Sequence, residues 1–111
     1  MARQGYVNLA PAGSPEGDDA AMVAARAEFL GDGWFDPLSA ALAAAAAESP
    51  PPGAVAELGA GTGRHLAAVL DALGDDRAGV ALDASVYAAR RAARAHPRAT
   101  SVVADTWARL P

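Results

Sequence analysis

Three alternating glycines decide most of what this chain can fold into. Gly59-Ala60-Gly61-Thr62-Gly63 follows a short apolar run, Ala54 to Leu58, and precedes a helical pattern from about Arg64 to Leu73. A strand that turns into a helix through glycines lets a ligand approach the backbone, because no Cβ stands in the way. The first turn of the helix then offers N–H groups that have no partner of their own. The pattern repeats downstream. Ala78 to Leu82 reads as a second strand, Ser85 to Ala95 as a second helix stopped before Pro97, and Thr100 to Ala104 as a third strand. Two βαβ units in succession require a parallel sheet with crossover helices. The sequence therefore predicts an α/β core over residues 54–111 with three parallel strands.

Three carboxylates fall at the ends of those strands: Glu57, Asp83 and Asp105. In an open parallel sheet, ligands bind in the crevice beyond the carboxyl ends of the strands, so the three acids share one crevice. Asp83 is suited to accept from a pair of ribose hydroxyls. Two of the acids and the turn itself have plainer readings: Asp83 as a helix cap, Asp105 as a turn residue, the glycines as a tight turn. The nicotinamide-dinucleotide fingerprint fails. It needs a glycine at the sixth position, where counting from Gly59 gives Arg64 and from Gly61 gives Leu66. A nicotinamide-dependent oxidoreductase is disfavoured on that ground.

Residues 1–53 form a preceding segment. Tyr6 to Leu9 is a short extended piece, and Pro11, Gly13, Pro15 and Gly17 punctuate a loop. Asp18 or Asp19 caps a helix from about Ala20 to Leu30, with Met22, Ala25, Phe29 and Leu30 on one apolar face. Asp36 caps a second, Ala-rich helix from Pro37 to about Glu48. Ser49-Pro50-Pro51-Pro52-Gly53 stops it.

Composition excludes several classes. A chain of 111 residues is one domain at most, and its 52% hydrophobic content is largely alanine, with 5% aromatic residues. Net charge is −4, against the basic signature of an autonomous nucleic-acid binder. With no cysteine there is no disulfide and no thiolate zinc site. His65 and His96 stand alone, and no metal site is expected. The longest apolar run, Ala40 to Ala47, is too short for a bilayer, and no signal peptide is visible. A cytoplasmic chain without membrane contact is expected.

An acid two residues before three alternating glycines resembles motif I of class I, Rossmann-like methyltransferases. The N-terminal segment narrows the resemblance. Gly5-Tyr6-Val7-Asn8-Leu9, Gly17-Asp18, Met22, Ala25-Arg26, Phe29-Leu30 and Gly33-Trp34-Phe35-Asp36-Pro37-Leu38 resemble the 23S rRNA (guanine-N1)-methyltransferase family. So does Leu110-Pro111. The family implies S-adenosylmethionine as cofactor and rRNA as partner. It implies that Gly59, Gly61 and Thr62, with Ala60 and Gly63 in the same turn, line the methionine portion. Glu57 would face the cofactor's amino group, Asp83 and the adjoining Ala84 the ribose, and Asp105 the adenine amino group. Phe35 stands where the family carries tyrosine, and would touch the cofactor through its ring without the hydroxyl.

Several readings stay open. Phe35 and Trp34 meet either cofactor or the core. Arg26 meets a carboxylate or phosphate, or makes a solvated ion pair. Arg90, Arg91, Arg94 and Arg98 contact phosphate or coat a solvated helix face. No catalytic base is assigned. The family's zinc module and its later strands would flank this chain, so the expectation is a cofactor-binding half, inactive alone and truncated at both ends. Its sheet edge would be open to self-association. The alternatives are a small-molecule methyltransferase with the same half, or a non-enzymatic remnant or interaction module.

Overall fold

The computed structural model describes residues 3–48, 51–74 and 76–110. The Ser49-Pro50 part of the connector and the Pro111 of Leu110-Pro111 lie outside the described residues. In chain order the elements are β1 (Tyr6–Asn8), α1 (Ala20–Gly31), α2 (Asp36–Glu48), β2 (Val55–Leu58), α3 (Arg64–Leu73), β3 (Gly79–Asp83), α4 (Val86–Ala92) and β4 (Ala99–Val103). The class is α/β, with one parallel, Rossmann-like sheet in the order β1-β4-β3-β2.

Four strands, not three, build the sheet among the described residues. The extra one is β1, which pairs in parallel with β4 through Tyr6–Ser101, Val7–Val102 and Asn8–Val103. Three residues carry too little hydrophobic alternation to announce a strand. What stabilises β1 is the edge of β4, a contact made across nearly the whole sequence. At the other end of the sheet β2 pairs with β3 alone, and its outer backbone edge is free among the described residues.

Helix boundaries follow local chemistry. Asp19 caps α1 by accepting from Met22 N at 2.8 Å. Asp36 does not cap α2. Ser39 N donates to Phe35 O, so Phe35 precedes the first turn, and the Asp36 carboxylate pairs with Arg64 instead. The buried side of α1 is also shifted by one residue from the expected face. Val23 is buried while Met22 and Phe29 are about half exposed. Ala20, Val23, Ala27 and Leu30 keep the helical period but face α4. Finally, α4 ends at Ala92, three residues early. Arg94 N to Arg91 O and Ala95 N to Ala92 O are tight turns that satisfy the last carbonyls before Pro97.

The core is small. Leu66, Leu70, Ala60, Ala81 and Ala92 form it, with Val55 and Ala99 packed alongside. Two glycines make the packing possible. A Cβ on Gly79 would sit 2.6 Å from Leu70 Cδ1, and one on Gly63 would meet Ala92 and Ala95 at 3.0–3.2 Å. The first lets α3 lie flat on the sheet, and the second lets α3 meet α4. The N-terminal loop is seated in the same way. Gly17 has no room for a Cβ beside Ser85, whose hydroxyl donates to Asp18 O.

Candidate functional site

Parallel pairing brings the carboxyl ends of β2, β3 and β4 to one edge of the sheet. Leu58 aligns with Leu82, and Asp83 with Val103. Glu57, Asp83 and Asp105 therefore lie at the same end, as the strand reading requires. Between the first two sits the glycine turn. Gly59, Gly61 and Gly63 all have φ between 55° and 78°, a conformation that side chains with a Cβ rarely adopt. Ala60 N donates to Leu82 O and Gly63 N to Ala60 O, which stitches the turn to β3.

Asp83 fixes the turn. Its Oδ2 accepts from Gly61 N at 2.8 Å and its Oδ1 from Ser85 N at 2.9 Å. A carboxylate has about four lone-pair sites, so two directions remain for a ligand. Glu57 reaches the opposite side of the turn, where Oε2 accepts from Leu66 N at 3.0 Å. Gly63 stands at the cap position of α3 without a side chain to cap it, so Glu57 supplies the missing acceptor. Asp105 accepts from Trp107 N and is held in its own turn.

Burial pushes the Glu57 carboxyl above its ordinary value of 4.5. The Leu66 N–H opposes that rise, and the nearby Asp83 charge adds to it. A raised carboxyl pKa means that the fold favours the neutral acid. That contribution is complete below the unfolded pKa and is lost as pH rises through the higher folded one. Wherever this carboxyl is ionised it therefore costs the folded state stability. Glu57→Gln is expected to melt above the parent at pH 7, with the gap closing below about pH 4. Thermal melts at both pH values check this, and a lower melting temperature for the variant at pH 7 would refute it.

A cavity of about 340 Å³ opens in front of the turn. Phe29, Phe35, Leu38, Glu57, Gly59 and Gly61 are among its walls, with Ala60, Thr62, Arg64 and His65 beside them. A Cβ on Gly59 would point into open space, and one on Gly61 would lie 4.0 Å from Arg26 Cδ and Nη1. So Arg26 overhangs the turn while paired to Asp18 at 3.0 Å. Phe35 meets Phe29 edge to face, 5.8 Å between centroids, and is about half exposed at the cavity wall. Trp34 is 70% exposed, so neither ring fills the core.

Of the residues singled out from sequence, the cavity gathers Phe35, Glu57, Gly59, Ala60, Gly61 and Thr62. Asp83 joins through Gly61. Gly63 is turned to the α3–α4 contact, and Ala84 and Asp105 continue the same sheet edge outside the cavity wall. Two contacts escaped the sequence reading. Arg64 is held by Asp36 at 2.6 Å, and His65 Nδ1 is hydrogen-bonded to the buried Ser39 hydroxyl at 2.7 Å, tying α2 to α3. His96 pairs with Asp71 at 3.0 Å. Among the described residues no group of three or more His, Asp and Glu is placed to hold a metal ion. Nor is any helix there long and apolar enough to cross a membrane.

No protein-family model matches the chain. Two curated proteins do. The chain is 55% identical over 127 residues to a Micromonospora griseorubida protein named as a 23S rRNA (guanine-N1)-methyltransferase, an alignment covering all of this chain and 43% of the relative. It is 50% identical over 115 residues to the 23S rRNA (guanine(748)-N1)-methyltransferase of Streptomyces fradiae, covering all of this chain and 41% of the relative. The chain spans about two fifths of the length of these curated relatives.

Proposed function

The chain is homologous along its whole length to 23S rRNA (guanine-N1)-methyltransferases, and on that premise we propose that it forms the S-adenosylmethionine-binding part of an enzyme that methylates N1 of a guanine in 23S rRNA. One observation carries the cofactor assignment. Gly61 N is fixed to Asp83 while the half-buried Glu57 carboxyl, its pKa raised by burial, faces the same turn. A ligand with a cationic end and a ribose suits that pair of acids.

In this reading Glu57 receives the cofactor's ammonium group, and Arg26, poised over Gly61, receives its carboxylate. Asp83 holds the ribose hydroxyls beside Ala84, and Asp105 the adenine amino group. Gly59, Ala60, Gly61, Thr62 and Gly63 keep the backbone close, and Phe35 lends its ring. When bound, the cofactor supplies an electrophilic methyl group on a sulfonium centre. These residues orient that group toward a guanine presented from an RNA loop or turned out of its stack. Guanine N1 must lose a proton, and no residue of this chain is assigned as the base. The same reading puts the protein in the cytoplasm, where rRNA is, and lets the β2 edge that is unpaired among the described residues pair with a second copy.

Calorimetric titration with S-adenosylhomocysteine tests the assignment, with NADH run in parallel. One molecule bound per chain and no heat from NADH is the expected result. No binding by a chain that melts cooperatively would abandon the assignment in favour of a non-enzymatic interaction module.

A further inference from the structure

A second hollow, about 710 Å³, runs between α1 and α4 and reaches the start of α3. Its floor is apolar, from Val23, Ala27, Leu30 and Ala67. Its charged lining is Arg64, Arg90, Arg91 and Arg94, with no carboxylate among the lining residues. That is notable in a chain of net charge −4. Leu30, Thr62 and Arg64 line both this hollow and the glycine-turn cavity, so the two adjoin.

The structure divides the arginine cluster that the sequence left as one. Arg98 is turned away and ties the end of α3 to the start of β4, donating to Leu70 O, Gly74 O and Arg77 O. Arg64 is neutralised by Asp36. Arg90 is held by the neutral amide oxygen of Gln4 at 2.8 Å, and its guanidinium lies 5.9 Å from the centroid of the half-exposed Tyr87 ring. Arg91 and Arg94 are exposed and, among the described residues, have neither a hydrogen-bond nor an ion-pair partner. Three guanidinium groups thus share one concave wall without a counter-charge. Such a wall concentrates anions.

We propose that this groove is where the RNA strand lies, its phosphates on Arg91 and Arg94 and a base against the Tyr87–Arg90 pair, leading toward the glycine-turn cavity. The proposal rests on the reading of the chain as part of an rRNA methyltransferase. Repeated phosphates suit spaced guanidinium groups, and an exposed ring beside an arginine is a stacking platform for bases of any sequence.

The test is fluorescence anisotropy with a labelled oligouridylate of roughly 12 nucleotides, at several salt concentrations. A paired titration with S-adenosylhomocysteine accompanies each variant. R91E/R94E is expected to weaken RNA binding at least about tenfold and to flatten the salt slope by roughly 1.4, two phosphates' worth for a single strand. R91Q/R94Q, which leaves no acid at the end of α4, is expected to move both in the same direction by less. Cofactor-analogue affinity should not change, since neither arginine lines the glycine-turn cavity. RNA affinity indifferent to both variants, with S-adenosylhomocysteine still bound, overturns the groove and leaves the cofactor site standing. RNA bound in an arginine-dependent way with no S-adenosylhomocysteine bound does the reverse. Arginine-dependent capture of polyglutamate but not RNA would make this a surface for an acidic protein and overturn the proposal.

Discussion

Leu70→Ala is expected to remove about 2–5 kcal/mol of stability, a large share of the roughly 5–15 kcal/mol available to a domain of this size. The expectation rests on how little else fills the interior. Leu70 is fully buried, and of its neighbours in the core cluster Ala60, Ala81 and Ala92 are alanines, with Leu66 the other large side chain. Alanines bury little apolar area and cannot move to close a hole. The Leu70 side chain also lies directly over Gly79, close enough that a Cβ there would meet it at 2.6 Å. A double-mutant cycle follows from that contact. Gly79→Ala alone crowds the core and should destabilise by about 1–3 kcal/mol. In the Leu70→Ala background the same methyl enters vacated space, so the two losses should add to less than their sum. Urea unfolding of the four proteins measures the coupling. Strict additivity would show that α3 shifts to relieve Gly79→Ala without help from Leu70, against the packing described.

Most of the sheet and the acid–glycine arrangement were legible in the sequence because their determinants are local. Val55–Leu58, Gly79–Asp83 and Ala99–Val103 are short runs between turn residues, and each carries an acid within two residues of its end. The N-cap of α1 was equally local, since a single Asp19 accepts from a backbone three residues on. What escaped depends on partners far along the chain. β1 exists because β4 offers an edge, and Asp36 abandons its cap because Arg64 lies within 2.6 Å. No periodicity records either contact. The face of α1 was misplaced for a related reason. Alanine is apolar enough to sit anywhere on a helix, so in a run such as Ala20 to Ala27 the buried stripe is set by what α1 meets, not by its own pattern. The arginine cluster shows the same limit, since Arg98 and Arg94 look alike until one is seen bonded to three carbonyls.

Asp83→Ala should have the largest effect on ligand binding, because one side chain serves both the turn and the ligand. Its two internal bonds hold Gly61 N and Ser85 N, both partly buried. Hydrogen bonds to a charged group contribute about 1.5–3 kcal/mol each, so their loss loosens the glycine turn and the start of α4 together. The lone pairs that remain are those assigned to the ribose hydroxyls. Losing even one such bond weakens S-adenosylhomocysteine by about tenfold or more, and losing two by about a hundredfold. The variant also removes a negative neighbour of Glu57, whose raised pKa should fall back toward 4.5. Asp83→Asn separates the two roles. Its amide oxygen can still accept from one backbone N–H, so one of the two bonds is kept, while its NH₂ faces the other N–H. The charge is gone, and the NH₂ group cannot accept from a hydroxyl. The expected order of melting temperature is therefore parent, Asn, Ala, with Asn between the two. In affinity, by contrast, Asn should fall most of the way to Ala. Were Asn to bind as tightly as the parent, Asp83 would be a purely structural residue that holds the turn, and the ribose would have to be sought elsewhere along the sheet edge.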